Sequence, residues 1–180
     1  MGPGQKVLYL GVGAGEDALL AARTGATVTC VDISQGMLDR LQVKLDKEDL
    51  SVELICQSAF DHLRTEHYDI VATNYFLNVF RRDDMVRMLN HAATLIRPGG
   101  KFLIADVAVP EGNPLAKGFA WLYLKYAMAS FWIMGLVPWH ENYDYPSFVP
   151  DANVSLEHVE KFRLTRFGPV VYQCIVGRKD

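Results

Sequence analysis

Three observations on this chain predict an α/β doubly wound sheet, mostly parallel, with an antiparallel C-terminal hairpin strand. Short β-branched runs alternate with segments whose apolar residues recur at helical spacing, the first run ends in glycines, and helix breakers follow the helical segments. Lys6 to Leu10 is the first strand, followed by a glycine-rich turn and a helix from Glu16 to Thr24 that Gly25 stops. Ala26 to Asp32 repeats the unit. Ser34 then caps a helix in which Met37, Leu38, Leu41 and Leu45 make an apolar stripe. Val52 to Cys56, Tyr68 to Thr73 and Lys101 to Val107 supply strands three to five. A helix over Asp83 to Ile96 precedes the last of these, and Arg97-Pro98-Gly99-Gly100 ends it. Strands and helices in this order predict parallel pairing through right-handed crossovers, with helices on both faces. His158 to Leu164 and Val170 to Val176 alternate as two further strands, joined through Arg166-Phe167-Gly168-Pro169 into a hairpin at the sheet edge. Val149 to Ser155 is too short and Pro-rich to supply a long helix before them.

A chain of 180 residues, half of them hydrophobic, is long enough for one domain with a real core. Eighteen basic against 21 acidic residues leave a net charge of -3, which argues against nucleic acid as a partner. The three cysteines are widely spaced within apolar runs, so they read as free thiols with no metal-ligand spacing, and no metal is expected. The N-terminus lacks the pattern of a secretory signal, so a cytoplasmic protein is expected. Between Gly118 and Val137 lie 20 residues with one charge, Lys125, and six aromatic side chains. A central lysine and the lack of a one-sided basic flank weigh against a membrane span. A core helix remains as one reading, and a helix whose apolar side forms the wall of a pocket for a greasy substrate or touches a lipid surface as the other.

The glycine turn narrows the cofactor. A dinucleotide fingerprint is G-x-G-x-x-G, but the position of its third glycine is Glu16, and the spacing is instead Gly11, Gly13, Gly15. A carboxylate at the start of the helix is a poor neighbour for a pyrophosphate. Asp32 ends the second strand 17 positions beyond Gly15, where an acid can accept hydrogen bonds from both hydroxyls of a ribose. An adenosine without phosphate is implied, on a Rossmann-like sheet.

The chain resembles the class I S-adenosylmethionine-dependent methyltransferases in VLYLGVGAG, VTCVDIS, YDIVATNYFLNVF and LIRPGGKFLIADV, which together span Gln5 to Val109. The resemblance implies S-adenosylmethionine as cofactor and a single methyltransferase domain over 1–180. A cofactor-binding half would fill 5–110, an apolar helical substrate cap 111–150, and a C-terminal strand pair 151–180. By the same resemblance Gly11, Gly13 and Gly15 let the backbone approach the methionine part, Asp32 holds the ribose, and Ile33 and Met37 pack on adenine. Ser58, Ala59 and Phe60 would line the adenine, and Asn74 and Tyr75 would stand at the switch point of strand order. Two positions depart from the family pattern. Tyr9 stands where an acid usually precedes the first glycine, and Ser58 where an acid usually meets the adenine amine. Glu16, Asp17, Gln57 and Asp61 lie near enough in sequence to substitute. The chain also opens on the first strand, where the resemblance leads one to expect helices that close over the cofactor.

Methyl transfer from a sulfonium mostly needs alignment and exclusion of water, so no catalytic triad is required. His140, Tyr143 and Tyr145, with Asp144, are the candidates to orient an acceptor or remove its proton. Residues 113–180 resemble, more weakly, the ubiquinone and menaquinone C-methyltransferase group, which implies a small hydrophobic acceptor such as a quinol or lipid-like phenol. The aromatic stretch through Trp121, Tyr123, Tyr126, Phe131 and Trp132 suits such an acceptor on physical grounds. Two alternatives stand beside this: a methyltransferase-like protein that only binds a partner or membrane, and an NAD-dependent oxidoreductase, which the absence of a Tyr-x-x-x-Lys pair disfavours.

Overall fold

The computed structural model describes residues 1–111, 114–133, 142–163 and 168–180. His140 and, in the expected hairpin turn, Arg166 and Phe167 lie outside them, as do the side chains of Phe131 and Trp132. The elements run β1 (Lys6–Leu10), α1 (Glu16–Arg23), β2 (Thr27–Asp32), α2 (Gln35–Lys47), β3 (Glu53–Cys56) and β4 (Tyr68–Asn74). They continue with α3 (Arg82–Leu95), β5 (Ile96–Glu111), α4 (Pro114–Ile133), α5 (Tyr145–Phe148), β6 (Val154–Arg163) and β7 (Val170–Lys179). Seven strands form one sheet in the order β3-β2-β1-β4-β5-β7-β6. The first five pair in parallel; β7 is antiparallel to both β5 and β6.

The centre of the sheet is apolar on both faces because helices cover both, and Val7, Leu8, Tyr9 and Leu10 are all buried in succession. On one face α1 and α2 bring Ala18, Leu19, Leu38, Leu41 and Leu45 against Val7, Tyr9 and Ile70. On the other, Met85, Met88 and Leu89 of α3 meet Leu8, Leu10, Val71 and Ile104, together with Tyr145 of α5. The turn before the fifth strand differs from the expectation. Helix α3 ends at Leu95 and the chain enters β5 at once, Ile96 pairing with Tyr68; Arg97 to Gly100 then form a register shift inside the strand. Gly100 suits that shift, since a Cβ there would stand 2.9 Å from the carbonyl oxygen of Asp69.

Helix α4 packs on the body through Ala120 and Leu124, against Val171, Val107 and Tyr172. Leu115, Phe119, Trp121, Leu122 and Tyr126 are exposed along it. Among the described residues no helix is long and apolar enough to cross a membrane.

Candidate functional site

Beyond the C-terminal ends of β1, β2 and β4 lies a cavity of about 660 Å³, within the range typical of small-molecule sites. Its floor is the turn after β1. Gly11, Gly13 and Gly15 all hold positive φ, at 77°, 53° and 77°, which other residues adopt only under strain. They serve different ends. A Cβ on Gly11 would stand 2.4 Å from the Phe76 ring and one on Gly15 2.9 Å from Leu41, so these two glycines make room for the protein's own side chains. Gly13 alone has open space about it, which leaves its backbone free for a ligand to approach.

Asp32 fixes the turn. Its Oδ2 accepts from the Val12 amide at 2.8 Å and its Oδ1 from the Ser34 amide at 2.8 Å, while further lone pairs remain on both oxygens for a pair of ligand hydroxyls. Ile33, beside it, lines the cavity with an apolar side chain 79% exposed, a surface on which a flat base can stack. Met37 does not line the cavity; the inward face of α2 runs through Leu38, Leu41 and Leu45. Ser58, Ala59 and Phe60 form the side wall, with Ser58 Oγ accepting from the Phe60 amide at 3.3 Å. Gln57 turns away to His62, at 3.3 Å, and neither it nor Asp61 reaches the cavity.

At the tip of β4, Asn74 donates to Asp17 Oδ2 at 2.7 Å, bridging the sheet to the first turn of α1. Tyr75 follows with φ 51°, an unfavourable conformation for an aromatic residue, of the kind that clusters at functional sites. Its amide is held by the Ala105 carbonyl at 2.8 Å. Tyr9 lies beneath the turn and donates its hydroxyl to the Asp17 carbonyl at 3.1 Å. Burial, with the nearby Asp17 carboxylate, pushes its pKa upward, so it remains a neutral phenol.

Three carboxylates, Glu16, Asp17 and Asp32, and no basic side chain line the cavity among the described residues. Glu16 is paired with Lys44 at 2.5 Å on the outer side of the turn. Such a site repels pyrophosphate and suits a ligand with cationic groups, which counts against a nicotinamide dinucleotide. The far wall is apolar: Phe76, Val79, Phe80 and Met88 were not singled out from the sequence, although the apolar residues of Tyr75-Phe76-Leu77-Asn78-Val79-Phe80 after a strand were the available signal.

Neither Tyr143 nor Tyr145 lines the cavity. Both are buried, Tyr143 donating to the Phe80 carbonyl at 3.1 Å and Tyr145 to Asp106 Oδ2 at 3.1 Å. Their hydroxyls anchor the segment after α4 to the core, where acceptor orientation was expected of them. Asp106 itself was missed. It is 1% exposed near the end of β5 and also accepts from the Val107 amide at 2.7 Å and the Asn78 amide at 3.2 Å. Burial raises its pKa to about 6 against the pull of these donors. Period-two alternation from Phe102 and Ile104 was the sequence signal that put it on a buried face.

A family model described as a methyltransferase domain matches residues 7–100, just over half the chain. The chain belongs to that family. Its fold is that of the class I S-adenosylmethionine-dependent methyltransferases. It is 27% identical over 153 residues to a ubiquinone biosynthesis O-methyltransferase of Coxiella burnetii, covering 84% of this chain and 60% of that one. It is 32% identical over 129 residues to a demethylmenaquinone methyltransferase of Corynebacterium urealyticum, covering 71% and 51%. The chain thus spans 60% or less of the length of these two relatives. A solved S-adenosylmethionine-dependent methyltransferase from Methanosarcina mazei superposes with a TM-score of 0.76 at 17% identity, covering 99% of this chain and 94% of that one. The residues present fit the family's cofactor: an open glycine, a ribose-ready carboxylate, an apolar stacking surface, and an acidic lining without phosphate-binding cations.

Proposed function

We propose that the chain transfers a methyl group from S-adenosylmethionine to a small hydrophobic acceptor, a quinol or lipid-like phenol. The observation that carries this reading is the division of one cavity into an acidic floor, suited to a cationic nucleoside, and an apolar wall of Phe60, Phe76, Val79, Phe80 and Met88. The names of the quinone-biosynthesis relatives support the acceptor class. Bound S-adenosylmethionine supplies an activated methyl group, so the chain's part is alignment and exclusion of water. Asp32 and Ser58 hold the nucleoside end, Ile33 covers its base, and the phenylalanines keep the acceptor side dry. Incubation with methyl-labelled S-adenosylmethionine and a lipid extract puts label in the organic phase. Label confined to polar products overturns the acceptor class.

Helix α4 extends this reading to a peripheral membrane contact. Its exposed apolar residues include Phe119, Trp121 and Tyr126, and it carries Lys117 and Lys125 but no acidic residue, a pattern that matches an anionic lipid surface. Cosedimentation with phosphatidylglycerol vesicles, lost in the Phe119→Ser/Trp121→Ser variant and weak on phosphatidylcholine, is the expected result. Equal pelleting of wild type and variant counts against it.

A further inference from the structure

We infer that Asp106 and Tyr143 are positioning residues for the acceptor: they hold the backbone of residues 75–80 and so fix where the aromatic wall of the cavity stands. The inference deepens the acceptor reading above and rests on it. The wall is built on a segment with little rigidity of its own. Between β4 and α3 the chain makes a single 3-10 turn, Leu77–Val79. Its internal amide bonds are long, Val79 donating to the Phe76 carbonyl at 3.4 Å and Phe80 to the Leu77 carbonyl at 3.3 Å. Yet Phe76, Val79 and Phe80 of this segment all line the cavity. Phe80 also meets Phe76 and Phe60 edge to face, at 5.2 and 6.0 Å between ring centres, so a shift of the turn disturbs the whole panel.

Polar contacts from outside the segment supply the missing rigidity. The Tyr75 amide donates to the Ala105 carbonyl at 2.8 Å, the Asn78 amide to Asp106 Oδ2 at 3.2 Å, and the Tyr143 hydroxyl to the Phe80 carbonyl at 3.1 Å. The first is backbone pairing that many sequences would make; the other two need these particular side chains. Phe102, Ile104 and Ala108 make the rest of the buried face of β5 apolar, so packing alone does not call for a carboxylate at 106, where burial penalises one. What Asp106 adds there is an acceptor aimed at the turn. The Tyr145 hydroxyl donates to the same Oδ2 and holds that oxygen in place. Leu77 is fully buried and already plugs the turn into the core, which leaves the polar contacts to set the angle at which its flanking rings face the cavity.

Calorimetric titration of the full chain in two steps separates positioning from a merely structural role. The first step measures S-adenosylhomocysteine, and the second adds 4-hexylcatechol, a phenol with an apolar tail, to the protein saturated with it. Asp106→Ala frees the Asn78 amide and is expected to weaken 4-hexylcatechol by about 10-fold while leaving S-adenosylhomocysteine within about twofold. Tyr143→Phe keeps the ring, frees the Phe80 carbonyl, and is expected to give the same split at about fivefold; it carries the test alone if Asp106→Ala folds poorly. Weakening of both ligands in parallel, or unchanged 4-hexylcatechol affinity in a folded variant, overturns the assignment. A wild type that binds S-adenosylhomocysteine but no 4-hexylcatechol instead defeats the acceptor reading, and this inference with it.

Discussion

Replacing Asp106 by asparagine tests whether a buried carboxyl near the end of β5 titrates within the folded protein. In the unfolded chain the group titrates near 3.8; in the fold, burial raises it to about 6. Between those values the folded state holds a proton that the unfolded state has released. The stability that Asp106 contributes is therefore fully present below 3.8 and is lost as pH rises through 6. A difference of about two pH units at 1.36 kcal/mol each makes the change about 3 kcal/mol, most of it between pH 4 and 7. Asp106→Asn removes the titration while keeping the shape. Its amide nitrogen would meet the Val107 or Asn78 amide as donor against donor, a cost of about 1 to 3 kcal/mol that does not vary with pH. Urea denaturation of both proteins across pH 4 to 8 should show wild type losing its advantage over the variant as pH rises. A stability difference that stays flat across that range refutes the reasoning.

Three further substitutions probe the site and its support. Gly11→Ala places a methyl 2.4 Å from the Phe76 ring at φ 77°, and should lower unfolding stability by about 2 kcal/mol or more and weaken S-adenosylhomocysteine in the same titration. Asp32→Ala removes the acceptor of two amide hydrogen bonds, and should weaken S-adenosylhomocysteine and methylthioadenosine alike, by about 100-fold or more, because both carry the ribose. Thr73 is fully buried and its Oγ1 has no hydrogen-bond partner among the described residues, so Thr73→Val should leave thermal stability unchanged or raise it by up to about 1 kcal/mol.

The strands were legible because each is a β-branched or apolar run bounded by breakers, and the first strand, Lys6 to Leu10, is the same in sequence and structure. The turn after it was legible because three glycines and Asp32 have few other uses in that register. What escaped depended on tertiary neighbours. Arg97 to Gly100 read as a turn because Pro and Gly punctuate chains, yet pairing of Ile96 with Tyr68 draws them into the strand. Met37 belonged to an apolar stripe, but one position along a helix turns a side chain by about 100°, enough to separate it from Leu38 at the interior. Tyr143 and Tyr145 read as candidates to orient an acceptor because a tyrosine carries both a ring and a hydroxyl; buried acceptors, the Phe80 carbonyl and Asp106, let both go inside.

The strand order leaves β3 and β6 as the two borders of the sheet, and each is guarded against recruiting another chain. Strand β3 offers only four residues, too few to template a long partner. Strand β6 is ten residues long, but Glu157, His158, Glu160, Lys161 and Arg163 stud its exposed length, so a foreign strand would have to desolvate charge along the whole seam. A protein whose proposed acceptor and helix α4 are both greasy would thus keep the open borders of its sheet resistant to aggregation.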